Sequence, residues 1–259
     1  MPFADVAGVR LHYRFDGPAG APVVLMSNSL GTDLRMWEPQ VPELAQRFRV
    51  LRYDSRGHGQ SSVAAGPYEI AQLARDVLRL MDALGVERAL FCGLSMGGMV
   101  GQWLGAHAPQ RVAKLALCNT SAHIGAPDMW NARMAAVAQG GMAAIVDGVI
   151  ARWYTQAFIA AAPEALATTR AMLLGTPAAG YIAACAAVRD MDQRATAGDI
   201  AAPTLVIAGA QDAATPPADG KYLAGAISGA RYVELPAAHL SNVEAAPAFT
   251  RALAEFLSD

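Results

Sequence analysis

Short apolar runs recur along the chain at a spacing and length that suit strands. They are VRLHYRF (9–15), VVLMSN (23–28), FRVLRYD (48–54), RALFCGL (88–94), KLALCNT (114–120), TLVIAGA (204–210) and RYVELP (231–236). A strand with one covered face alternates apolar and polar positions. Several of these runs are apolar almost without a break, which predicts strands covered on both faces. The segments between them follow a different period. IAQLARDVLRLMDALG (70–85) repeats apolar residues at three- and four-residue steps and meets a glycine stop, so it predicts a helix. VEAAPAFTRALAEFL (243–257) predicts a closing helix. Strands and helices alternating in this way predict an α/β chain with a mostly parallel central sheet and helices on both faces.

The alternation breaks once. Between the runs at 114–120 and 204–210, residues 121–201 are helical in composition and hold Trp130, Trp153 and Tyr154. About 80 residues is short for a self-sufficient core. The segment is therefore expected to be a helical cap on a core made of residues 1–120 and 202–259, with a second independent domain as the weaker alternative. Within it, Ala171 to Val188 carries no charge. Alanine dominates that stretch, and Gly175, Pro177 and Gly180 interrupt it, whereas a lipid-spanning helix is richer in leucine and isoleucine. Buried helices with a break are expected, and no membrane association.

Composition narrows the function classes. With 259 residues, 54% of them hydrophobic, the chain can bury a large core as one α/β domain. Its net charge of -2, without any basic run, offers nucleic acid or a membrane surface little attraction, and neither is an expected partner. Cys92, Cys118 and Cys185 are odd in number and far apart, which suits neither a disulfide framework nor a metal site. They read as buried apolar side chains in a reduced, cytoplasmic setting. No basic segment followed by an apolar stretch opens the chain, so no secretory signal is expected.

The candidate chemistry centres on Gly93-Leu94-Ser95-Met96-Gly97, a G-x-S-x-G pattern with a strand run before it and a helix pattern after it. A sharp strand-to-helix turn strains the serine and crowds its neighbours, and glycines two places either side relieve the crowding. The bland reading is a glycine-rich turn whose serine caps the helix. A serine hydroxyl is a weak nucleophile without a base. Of five histidines, His239 follows the last strand run, where a base at the sheet edge belongs. His12, His58 and His107 read as structural, and His123 opens the cap and is placed to reach a pocket. Asp212 follows the run at 204–210 and precedes His239, as an acid that orients the base should. Its alternative role is a helix N-cap. An oxyanion needs two backbone amides. Met96, just after the serine, supplies one, and Leu30 in the Asn28-Ser29-Leu30-Gly31 loop is the expected second.

Beyond these positions, NSLGTDLRMW (28–37), YDSRGHGQSS (53–62), FCGLSMGGMVGQWL (91–104), LALCNTSAHIG (115–125), MWNARM (129–134), GYIAACAAVRDMD (180–192) and AAHLSNVE (237–244) resemble the 3-oxoadipate enol-lactonases of the α/β-hydrolase superfamily. GHGxS and GxSMGG occur across many serine hydrolases. NSLGTDLRMW, MWNARM and AAVRDMD are narrower, and two of them lie in the expected cap. The resemblance implies the α/β-hydrolase fold with a helical cap inserted after the sixth strand. It implies hydrolysis of a small unsaturated lactone bearing a carboxylate, in aromatic catabolism, by Ser95, His239 and Asp212 without metal or organic cofactor. The substrate carboxylate would then need a cation. Arg133 is the first candidate, with Trp130 as an apolar wall, and Arg35 the second. A general carboxylesterase or perhydrolase is the alternative use of such a site, and a non-catalytic lactone sensor a more distant one. A haloalkane dehalogenase would need aspartate where Ser95 stands.

Overall fold

The structure, a computed structural model, describes residues 2–259. Its eight strands are β1 (Phe3–Val6), β2 (Val9–Asp16), β3 (Val23–Ser27), β4 (Arg49–Tyr53), β5 (Ala89–Leu94), β6 (Val112–Cys118), β7 (Thr204–Gly209) and β8 (Arg231–Leu235). They form one sheet in the order β1-β2-β4-β3-β5-β6-β7-β8. Every neighbouring pair from β4 to β8 is parallel, and β2 joins β1 and β4 antiparallel. The expected mostly parallel sheet is therefore present. Its central strands β5 and β7 are buried at every position, as their unbroken apolar runs require.

The helices are α1 (Val41–Leu44), α2 (Ile70–Ala83), α3 (Met96–His107), α4 (Pro127–Gly140), α5 (Val146–Trp153), α6 (Gln156–Ala161), α7 (Pro163–Gly175), α8 (Ala178–Asp190), α9 (Pro217–Ala226), α10 (Ser241–Glu244) and α11 (Ala246–Ser258). α2 buries Leu73, Ala74, Val77, Leu80 and Met81 along one stripe, the three- and four-residue steps of its sequence.

Two details differ from the sequence expectation. β1 precedes the first expected run. Its four residues alternate exposed and buried and are too few to register as a pattern. A two-residue turn with positive φ at Ala7 (49°) and Gly8 (81°) folds it back on β2, the handedness that suits a twisted hairpin. The closing helix is also split. Pro247 lies in the first turn of α11, where its missing N–H breaks no hydrogen bond, and α10 stops ahead of it.

Helices α4 to α8 all lie between β6 and β7. α7 and α8 meet at a 95° bend at Pro177. Among the described residues no single helix is long and apolar enough to cross a membrane. The second half of the uncharged stretch packs inward instead, while Leu174 on α7 is exposed. Tyr181 and Ala183–Val188 are buried. The inserted helices are seated on the core by close contacts. A Cβ on Gly180 would fall 2.2 Å from the Gly57 carbonyl oxygen, so only glycine allows that approach. The Tyr68 amide donates to the Ala183 carbonyl at 3.0 Å, and the Thr176 hydroxyl donates to the Gly31 carbonyl at 3.1 Å.

Candidate active site

Ser95 stands between the end of β5 and the start of α3 with φ 57° and ψ −117°. A non-glycine residue in such a conformation costs roughly 1–3 kcal/mol, and its surroundings must enforce it. They do so by crowding. A Cβ on Gly93 would lie 2.1 Å from the Gly97 carbonyl oxygen, and one on Gly97 would lie 2.1 Å from the Ser27 carbonyl oxygen. Both glycines of the motif are thus required by the closeness of β5, α3 and β3. Hydrogen bonds then lock the turn. The Ser95 amide donates to Cys118 (2.9 Å), the Gly97 amide to Asn28 (3.0 Å), and the Thr120 hydroxyl to the Ser95 carbonyl (2.8 Å).

Ser95 and His239 line one cavity. His239 comes from the loop after β8, and its Nδ1 lies 2.8 Å from Oδ2 of Asp212, which follows β7. Asp212 also accepts hydrogen bonds from Asn119 Nδ2 (3.0 Å), the Thr215 hydroxyl (2.8 Å) and the amides of Ala214 (2.8 Å) and Thr215 (3.0 Å). Burial pushes its carboxyl up, but the His239 charge and the hydrogen bonds from His239, Asn119 and Thr215 outweigh burial and hold its pKa at about 2. An ionised carboxylate only accepts, so the proton sits on His239 Nδ1. In the neutral ring Nε2 is left as the acceptor.

Leu30 lines the cavity at the turn that Gly31 makes with φ 81°. Met96 is the first residue of α3, so its amide has no acceptor within the helix and belongs to the helix's positive end. Trp130 and Arg133 project from α4 into the same cavity, with the guanidinium 4.9 Å from the indole ring. Arg35 does not reach it. Asp33, two residues earlier, caps the short turn at Leu34–Trp37 and chelates the Arg35 guanidinium at 2.9 and 2.6 Å, holding it over a different surface recess. Its nearness in sequence to the loop at 28–31 was misleading for that reason. His123 does not line the cavity either. Its Nδ1 lies 3.2 Å from the Met191 carbonyl.

Sequence reasoning missed two further residues. Arg152, near the end of α5, lines the cavity and donates to the Ala213 carbonyl at 3.1 Å. No spacing marks it within the alanine-rich insertion. Asn119, with φ 42°, bridges Asp212, the Ala238 carbonyl (3.2 Å) and the Ser241 hydroxyl (2.5 Å), which donates to its Oδ1. In sequence it is only the polar end of a strand run. No Asp or Glu lines the cavity among the described residues, whereas two arginines do. Such a surplus of positive charge suits an anionic ligand. Among the described residues, no group of three or more His, Cys, Asp or Glu side chains is placed to hold a metal ion.

Known proteins show the same framework. A family model described as alpha/beta hydrolase fold matches residues 22–246. "3-oxoadipate enol-lactonase 2" of Acinetobacter baylyi is 42% identical over 245 residues, covering 95% of this chain and 92% of the relative. The crystal structure of the enol-lactonase from Burkholderia xenovorans LB400 is 50% identical, with a TM-score of 0.98 over 100% of both chains. "Putative carbamate hydrolase RutD" of Variovorax paradoxus is 35% identical over 258 residues, 96% of each chain. These matches span both the sheet and the helices inserted into it, and the chain belongs to the alpha/beta hydrolase fold family.

Proposed function

We propose that this chain hydrolyses 3-oxoadipate enol-lactone to 3-oxoadipate, with Ser95 as nucleophile, His239 as general base and Asp212 as the acid that orients it. One observation carries the reading. A strained serine and a His–Asp pair open onto a cavity that presents two arginines and no carboxylate. The names of the Acinetobacter and Burkholderia relatives support the same substrate.

In this mechanism Ser95 Oγ attacks the lactone carbonyl as His239 Nε2 takes its proton. The amides of Leu30 and Met96 hold the negative oxygen. Collapse breaks the ring C–O bond and expels an enolate, which is a better leaving group than a simple alkoxide. His239 returns its proton to that fragment, which becomes the ketone. The fragment stays tethered, so the acyl-enzyme carries the whole product until water, activated by His239, releases it. Asp212 remains ionised throughout and stabilises the imidazolium. Arg133 binds the substrate carboxylate in a fork that suits both oxygens, beside the apolar wall of Trp130. Arg152 adds a second positive charge at the same cavity. Helices α4 to α8 act as the cap that supplies these groups and excludes water.

The test is a spectrophotometric assay with freshly generated enol-lactone on wild type and Ser95→Ala together. Turnover by wild type that the substitution abolishes is the expected result. The RutD relative favours a second reading, hydrolysis of a carbamate. Wild type that ignores the enol-lactone but cleaves a carbamate would replace the first reading with it. A broad preference for neutral aryl esters would make the chain a general carboxylesterase.

A further inference from the structure

Glu244 closes α10, five residues beyond His239, and does not line the cavity. Its carboxylate joins two parts of the molecule that are far apart in sequence. Oε2 accepts from the amide of Ala238, the residue directly before His239, at 2.9 Å. Oε1 accepts from the hydroxyl of Thr155 and, at 3.3 Å, from its amide. Thr155 lies between α5 and α6, two residues after Trp153. Trp153 lines the cavity, and its ring centre is 5.9 Å from that of His239. On the other side of the histidine, the Leu240 amide donates to the Trp153 carbonyl at 3.2 Å. Both chain neighbours of His239 are thus tied to the inserted helices, one directly and one through Glu244.

We propose that Glu244 is a positioning residue that clamps the His239 loop to the inserted helices, so that the imidazole is held for Ser95 only while those helices are seated. The proposal rests on the reading of His239 as the base for Ser95. Hydrogen bonds to a carboxylate are stronger than those between neutral groups, and one carboxylate with donors from two segments resists their separation. The Ala238 carbonyl is held as well, by Asn119 Nδ2 at 3.2 Å. Ala238, the residue leading into His239, is therefore held at both its amide and its carbonyl. Without Glu244 the Asn119 contact would remain, but the tie from loop to insertion would be halved. Small misplacement of a base slows proton transfer even when the pocket stays intact.

The experiment follows the rate at which a fluorophosphonate labels Ser95. It reports how well the base activates the serine and does not depend on which ester is the natural substrate. Glu244→Gln retains the shape but turns an NH2 group toward either the Ala238 amide or the Thr155 donors. It should label about tenfold more slowly, with the KM for enol-lactone within about twofold of wild type, since Glu244 touches no substrate. Thr155→Val removes the hydroxyl on the insertion side, which also caps α6 by accepting from the Phe158 amide at 3.2 Å. It should slow labelling by about threefold although Thr155 touches neither His239 nor the cavity, and the double variant should be no slower than Glu244→Gln alone. Thermal melts of each variant separate this effect from unfolding, and Thr155→Val tests the clamp even where Glu244→Gln does not fold. Wild-type labelling rates in both single variants, or effects that multiply in the double variant, would overturn the clamp alone. A wild type that is not labelled at Ser95 would overturn the nucleophile assignment and the clamp with it.

Discussion

Two buried histidine–aspartate pairs sit on this sheet with nearly the same geometry. His239 Nδ1 is 2.8 Å from Asp212 at the parallel end, and His12 Nδ1 is 2.7 Å from Asp54 at the antiparallel end. The difference lies in what surrounds them. Asp54 is an organiser of loops. It accepts from the amides of Leu34 (2.8 Å) and Gln60 (2.9 Å), and Gly59 packs so closely that a Cβ there would lie 2.2 Å from its carboxylate. The nearby Ser61 hydroxyl donates to the Asp54 carbonyl and accepts from the His12 amide. It is a structural hydroxyl. The recess beside His12 and Asp54 is lined by Arg14 and Arg35 but also by the carboxylates of Asp33 and Glu38, whereas the cavity beside His239 holds a serine in a strained turn, two arginines and no carboxylate. A His–Asp contact does not by itself make an active site. A serine held in a costly conformation, beside a cavity whose charges are all positive, is what separates the two.

That contrast can be broken from either side. The largest effect should come from Ser95→Ala, which removes the proposed nucleophile and should reduce enol-lactone turnover by about 10⁴-fold or more. A circular dichroism melt should show the fold retained. Asp212→Asn comes next. It keeps the size but loses the charge that fixes the His239 tautomer, and should lower kcat by about 10³–10⁴-fold. Stability should fall with it, in a pH-dependent way. The Asp212 pKa is held at about 2, below the 3.8 of an unperturbed carboxyl. Its ionised form therefore stabilises the fold above that ordinary value, and the contribution fades as pH drops toward 2. Near neutral pH the difference from Asp212→Asn should be roughly 2 kcal/mol by denaturant titration, closing in acid. No acid limb of the activity profile above about pH 3 should arise from this carboxyl.

Smaller effects sharpen the comparison further. Arg133→Ala should raise the KM for enol-lactone by about ten- to a hundredfold and change kcat much less, as read from initial rates over a range of substrate concentrations. At the other pair, His12→Phe should lower stability by about 1–3 kcal/mol, because Asp54 then loses a buried partner. Its kcat should stay within about twofold of wild type. A large loss of kcat there would mean that the two pairs are not functionally distinct.

What could be read from the sequence follows how local the physics is. The turn around Ser95 needs glycine at two places within five residues, so Gly93 and Gly97 announced it, although the carbonyl that crowds Gly97 belongs to Ser27 on β3. The continuous apolar runs foretold a sheet covered on both faces, because burial acts on every residue of a central strand. His239 and Asp212 were singled out by their places after successive strands; the structure pairs them at 2.8 Å and places His239 with Ser95 on one cavity. Contacts that span the chain left no such trace. Asn119 reaches residues 93 and 119 positions away, and Glu244 reaches Thr155 across 89. Arg35 shows the opposite error. It lies close in sequence to the loop at 28–31, but the carboxylate two residues before it binds it first. β1 was illegible because four residues carry too little pattern to stand out from a loop.

The most direct test of the account compares kcat/KM for the carboxylate-bearing enol-lactone with that for its neutral methyl ester, in wild type and in Arg133→Ala. The account predicts a strong preference for the carboxylate in wild type that largely disappears in the variant, with all turnover of both compounds lost in Ser95→Ala. Equal or better turnover of the neutral ester by wild type, or a preference that Arg133→Ala leaves intact, would contradict it.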